Sequence, residues 1–160
     1  MLKRVCIVIG LALALCLTGC MRTTRLGLPA WEAFREEMLD RDGVTRLSAE
    51  QGPAALFVKC YYKDISEDNP EYLKTDIKAS LSGEKFLDEY VAYVRKEAEK
   101  NTASYGLMEY MPEIQIGLYP AGTDQRVWTS EARYYTEPYR SDRQMEIDNY
   151  QTWYDEISNE

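Results

Sequence analysis

Histidine is absent from the 160 residues, and cysteine is scarce, with copies only at positions 6, 16, 20 and 60. Imidazole is the commonest metal ligand and the usual base beside a serine or cysteine nucleophile. Its absence removes the familiar triads and, with so little thiol, most zinc and copper sites. No glycine-rich loop with Lys-Ser/Thr follows a strand pattern, and no Gly-x-Ser-x-Gly elbow occurs. No apolar run reaches the ~18–20 residues that cross a hydrocarbon core. Positive charge is in deficit, with 19 Lys and Arg against 27 Asp and Glu. No nucleic-acid partner is therefore expected, because phosphates require a basic surface. Repeats, long linkers and low-complexity tracts are also missing, which points to one domain.

What is present begins at the N-terminus. Lys3 and Arg4 precede a nearly unbroken apolar run from Val5 to Leu17, and Thr18-Gly19-Cys20 follows. A positive flank, an apolar stretch and small residues before a cut form the layout of a secretory signal. Leu17-Thr18-Gly19-Cys20 resembles the lipobox of bacterial lipoproteins, which runs Leu, a small or hydroxyl residue, Gly or Ala, then Cys. The resemblance covers the first 20 residues only. It implies cleavage before Cys20 and a thioether-linked diacylglycerol on that cysteine, often with a third acyl chain on its amine. Residues 1–19 are then a signal peptide, 20–28 a lipidated tether and 29–160 the folded domain. At ~0.8 kcal/mol per buried CH₂, acyl chains such as palmitate make release from a membrane negligible. The implied location is extracytoplasmic, lipid-anchored to the cell membrane or the outer membrane. In a cell with two membranes, Met21 instead of Asp after the cysteine favours the outer one.

Loss of residues 1–19 leaves 141 residues with a formal charge of −10, since Lys3 and Arg4 depart with the signal. That is an ordinary size for one domain. Cys6 and Cys16 leave too, and Cys20 carries lipid. Cys60 then stands alone, so no internal disulfide is expected despite the location. Its alternation with Leu56, Val58 and Tyr62 predicts a buried, unreactive thiol.

Periodicity outlines the elements. Pro29 opens a helix to about Asp40, with Trp31, Phe34 and Met38 on one face. Val44 to Gly52 reads as a loop or short edge strand. Ala54 to Asp64 alternates as a strand, and Leu73 to Leu81 reads as a second strand antiparallel to it. Ser82 is the expected N-cap of a long helix, Gly83 to Asn101, with Glu89 facing water. Glu113–Tyr119 and Gln125–Thr136 form a hairpin around Pro120–Asp124. Ser141 begins a final helix to about Ser158, with Met145, Ile147, Tyr150, Trp153, Tyr154 and Ile157 packing. The expected fold is α+β: a four-stranded antiparallel sheet with helices mainly on one face, in the order α-β-β-α-β-β-α.

Thirteen tyrosines and three tryptophans are many for this length. Most belong in a core, but aromatics with arginine also mark interfaces and stacking platforms. The candidate binding cluster is Trp128, Tyr134, Tyr135, Tyr139 and Arg140. The hairpin of Ile114–Tyr119, Ala121-Gly122-Thr123 and Val127-Trp128 resembles one in small envelope-assembly lipoproteins, and implies a role in contacting an envelope protein. The pairs Glu109/Glu113 and Glu131/Glu137 are the carboxylates nearest an acid–base arrangement. The acidic loop from Asp64 to Glu71 lacks the spacing of a calcium loop. The sequence therefore points to a membrane-anchored binding or assembly module without a catalytic site, metal or cofactor. The alternative is a carboxylate-dependent hydrolase acting on cell-wall polymer or glycan.

Overall fold

Leu56, Val58 and Cys60 alternate with Phe57, Lys59 and Tyr61, and the pleat that this pattern demands forms strand β3 (Ala55–Tyr62) inside the sheet. The computed structural model describes residues 23–63, 71–100, 111–134 and 149–157. Around β3 lie β1 (Thr24–Arg25), β2 (Val44–Gln51), β4 (Glu113–Pro120), β5 (Trp128–Tyr134) and β6 (Asn149–Ile157). The strands stand side by side in chain order, and every pair is antiparallel except β3 with β4. A parallel pair needs a long crossover. Helices α2 (Glu71–Leu81) and α3 (Glu84–Lys100) lie within it, while α1 (Pro29–Leu39) precedes β2.

The register aligns Leu56, Ile114 and Ala132 across three strands, then Val58, Ile116 and Ser130, then Cys60, Leu118 and Trp128. All of these are buried. Against that face the helices lay Trp31 and Met38, then Leu73, Ile77 and Leu81, then Phe86, Tyr90 and Val94, in one continuous core. Two polar contacts fix α1. Glu89 on α3 accepts from the Ala30 N–H at 2.8 Å, and Arg35 donates from Nε to the Leu47 carbonyl at 3.0 Å. The first satisfies one of the first-turn N–H groups that a helix starting at Pro29 leaves without an internal partner. Glu89 is thus half-buried and bonded, not simply solvated.

The structure is α+β as expected, but among the described residues the sheet has six strands and is mixed, not four and antiparallel. Leu73–Leu81 is helical. Leu73, Ile77 and Leu81 repeat every four residues as well as alternating, and the exposed Thr75 and Ala79 show that the helical period governs. The segment expected as a final helix instead supplies β6 from Asn149 to Ile157, where Thr152, Trp153 and Tyr154 suit a pleated surface. Its earlier residues, including Met145 and Ile147, lie outside the described set. Val44–Gln51 is a full eight-residue strand, not a loop, and β1 pairs with its last two residues, Glu50 and Gln51. Leu26 and Leu28 are buried, so the stretch expected as tether belongs to the domain from residue 24 onward.

Ser82 does not act as the expected side-chain cap. Its hydroxyl donates to the Tyr150 carbonyl at 2.8 Å and accepts from Trp153 Nε1 at 2.8 Å, tying β6 to the α2–α3 junction. The first turn of α3 is closed by Leu87 N–H on the Gly83 carbonyl at 3.0 Å. Tyr150 sits where the β5–β6 register slips between Ala132 and Tyr134, with φ of 60°. That left-handed conformation is costly for a tyrosine. Opposing the cost, its buried ring meets Tyr90 and Tyr134, and its hydroxyl donates to the Pro112 carbonyl at 2.7 Å.

Candidate functional site: the open face of the sheet

Strand alternation that sends one set of side chains into the core sends the other set to the opposite face. Among the described residues no helix packs there. Three rungs cross it in register. Arg46, Tyr61 and Tyr119 form the first. Ser48, Lys59, Gly117, Thr129 and Glu156 form the second, and Glu50, Phe57, Gln115, Glu131 and Tyr154 the third. Most of these side chains are half-buried; Arg46, Tyr154 and Glu156 are exposed.

The first rung is a stack. The Arg46 guanidinium lies 3.7 Å from the Tyr61 ring centre, within cation–π range. Tyr61 and Tyr119 stack at 4.9 Å with planes 20° apart. Gly117 makes room for this: a Cβ there would stand 2.8 Å from Tyr119 Cε2 and 3.2 Å from Arg126 Cδ. The missing side chain lets the Tyr119 ring lie over the backbone. At the far side, Arg133 holds both Glu113, at 3.3 Å from Nε, and Glu131, and lies 5.9 Å from the exposed Tyr154 ring. Tyrosine and arginine, partly covered and held in fixed geometry, are the residue types that dominate protein interfaces.

Of the sequence candidates, Trp128 is 4% exposed and belongs to the core, with Lys74 and Lys78 ammonium groups 5.2 and 5.1 Å from its ring. Tyr134 is half-buried against Tyr150, with ring centres 5.2 Å apart. The two stand at opposite ends of β5, six residues or roughly 20 Å apart, so they do not form one patch. Tyr135, Tyr139, Arg140 and Cys20 lie outside the described residues, as do Glu109 and Glu137. Sequence reasoning missed Arg46, Tyr61 and Tyr119 as a unit because three strands must register before they meet. The available signal was the wet-face alternation of Tyr61 and Tyr119 within their own strands.

Several other polar groups make internal contacts. Ser130 donates to Asp155 at 2.6 Å, and Lys78 donates to the same carboxylate at 2.6 and 2.9 Å. Partial burial would raise the Asp155 pKa, but the bonds from Lys78 and Ser130 together outweigh it and hold the group below its ordinary range. A lowered pKa suits an ion pair, not an acid that must carry a proton near neutrality. Burial pushes the Cys60 thiol up to about 12, which keeps it protonated and inert. Burial likewise raises the Tyr150 phenol. Among the described residues no group of three or more metal-ligating side chains comes together.

A cleft of about 770 Å³ between α3 and the β5–β6 end has apolar walls of Leu87, Val91, Tyr134 and Tyr150. Its carboxylates, Glu84 and Asp88, are one helical turn apart on the same wall. They stand side by side, whereas the two carboxyl groups of a glycosidase flank the bond they cleave. No helix of the described residues is long and apolar enough to cross a membrane. No family model matches the chain, and no curated protein or solved structure is significantly similar to it.

Proposed function

We propose that the protein is an extracytoplasmic lipoprotein, anchored through lipid on Cys20, whose domain is a non-catalytic binding or envelope-assembly module. The reading is carried by Leu17-Thr18-Gly19-Cys20 at the end of a charged-then-apolar leader. The open face supports the binding half, because it offers Arg46, Tyr61, Tyr119 and Tyr154 to a partner. Tyr135, Tyr139 and Arg140 remain candidate contacts from the sequence. The hydrolase alternative has less behind it: Glu113 and Glu131 share Arg133, and Glu84 and Asp88 stand on one wall.

The fold adds a geometric consequence. Thr24 already pairs with Gln51, so only four residue steps separate Cys20 from the sheet, at most ~14 Å of extended chain. The lipid would hold the β2–β3 turn close to the membrane. Arg46 lies five residues back along β2 from Gln51, roughly 17 Å away. The aromatic stack is thus at the end of the sheet remote from the anchor, where an envelope partner can reach it.

Fractionation of cells expressing Cys20→Ser tests the anchor, since only the thiol can accept the diacylglycerol. The variant should appear unlipidated, either uncleaved or released in soluble form. A normally processed, membrane-bound Cys20→Ser protein would contradict the proposal.

A further inference from the structure

Beside the first rung, a cavity of about 330 Å³ opens between the start of β2 and the β4–β5 turn. That volume is at the small end of the range for ligand sites. Its walls are Thr45, Arg46, Tyr61 and the turn residues 121–124. They carry one guanidinium, Arg46, and one carboxylate, Asp124. Here the contact shown for Arg46 is the Tyr61 ring, and no ion pair within 4.0 Å joins it to Asp124. Arg46 and Asp124 are thus not paired with each other, and each can receive a ligand charge.

The surrounding hydroxyls have a definite polarity. Thr45 Oγ1 donates to the Tyr61 carbonyl at 3.0 Å, and Thr123 Oγ1 donates to the Pro120 carbonyl at 3.1 Å. With their protons committed, both oxygens have only acceptor capacity left. Asp124 is an acceptor as well. The acceptors together suit an ammonium group, which brings three donors, while the Arg46 fork suits a carboxylate. A simple anion would face Asp124, and a simple cation would face Arg46. Only a ligand with both charges satisfies both.

The Arg46 side and the turn backbone are held before any ligand arrives. Arg46 rests on Tyr61, which rests on Tyr119, whose ring lies over Gly117. Ala121 N–H donates to the Tyr62 carbonyl at 2.7 Å, and Gly122 turns the chain at φ of 83°. That part of the site needs little ordering on binding. We propose that this cavity binds a small zwitterion, of amino-acid to dipeptide size, with Arg46 taking its carboxylate and Asp124, Thr45 and Thr123 its ammonium. This goes beyond the anchored-module reading and does not rest on it.

The test is an amide chemical-shift titration of the full-length protein in detergent with glycylglycine, glycine, acetate and methylammonium. Glycylglycine or glycine should shift Gly122, Thr123 and Asp124 saturably, with affinity about tenfold or more above acetate or methylammonium. Arg46→Gln and Asp124→Asn should each weaken it by about tenfold or more. Both side chains are exposed, so the rest of the amide spectrum should stay unchanged and verify the fold. Acetate binding as tightly as the zwitterions, indifference to either substitution, or no saturable shift at millimolar concentrations would each overturn the proposal. The dipeptide and amino-acid arms separate a peptide end from a free amino acid as the preferred ligand. None of these outcomes bears on whether Cys20 is lipidated.

Discussion

The two faces of the sheet are built from the same strands, yet they follow different rules. On the packed face, every rung places aliphatic or aromatic side chains against helices, and Leu56, Ile77, Tyr90 and Ile114 are fully buried. On the open face, the first and third rungs mix charge with aromatic surface, the second carries charge with small polar side chains, and the rings stay partly exposed. Period-two alternation produces both at once, because each residue on the one face fixes its neighbour on the other. The difference teaches that the domain keeps its stability on one side and has chemistry to spare on the other. A face needed only for solubility would carry mixed charge; Arg46, Tyr61 and Tyr119 in a preset stack go beyond that need.

Substitution across the two faces should separate these roles most strongly in stability. Ile77→Ala removes a fully buried side chain and should cost about 2–5 kcal/mol, read from chemical denaturation of the full-length protein. Tyr61→Ala, on the half-buried stack, should cost clearly less. Equal losses from the two would dissolve the distinction between structural and available faces.

A smaller effect should appear with pH. Burial on the packed face raises the Cys60 pKa from 9.0 to about 12. The unfolded chain then releases this proton at lower pH than the folded chain does. The contribution is complete below about pH 9 and disappears as pH rises towards 12. Cys60→Ala should flatten that part of the stability profile, although it also lowers the level by shrinking the core. The buried Tyr150 phenol, likewise raised, adds a loss at high pH that Cys60→Ala leaves in place. An unchanged slope between pH 9 and 12 in Cys60→Ala would mean that the thiol is not buried in this way.

The contrast between faces also explains what could be read from the chain itself. β3 and the β4–β5 hairpin were legible because strict alternation and the Pro120–Asp124 turn leave few alternatives. The long helix was legible from Phe86, Tyr90 and Val94. Leu73, Ile77 and Leu81 fit both periods, and what decides between them is the parallel pairing of β3 with β4, a tertiary fact. Asn149–Ile157 joined the sheet because β5 offers it a partner, with a register slip at Tyr150 that no local pattern announces. The candidate face was half visible. Tyr61 and Tyr119 fall on the wet side of their own strands, but Arg46 lies in a stretch that reads as a loop or short edge strand, and Gly117 matters only once Tyr119 lies over it.

The central claim is that the open face meets a partner in the envelope while the helical face serves the fold. A photoreactive side chain substituted for Tyr119 in the intact envelope tests it against the same substitution at Tyr72, which is 43% exposed on α2. The account expects one discrete adduct from position 119, none from position 72, and loss of the adduct when Cys20→Ser removes the anchor. Adducts from position 72 with none from position 119 would contradict it.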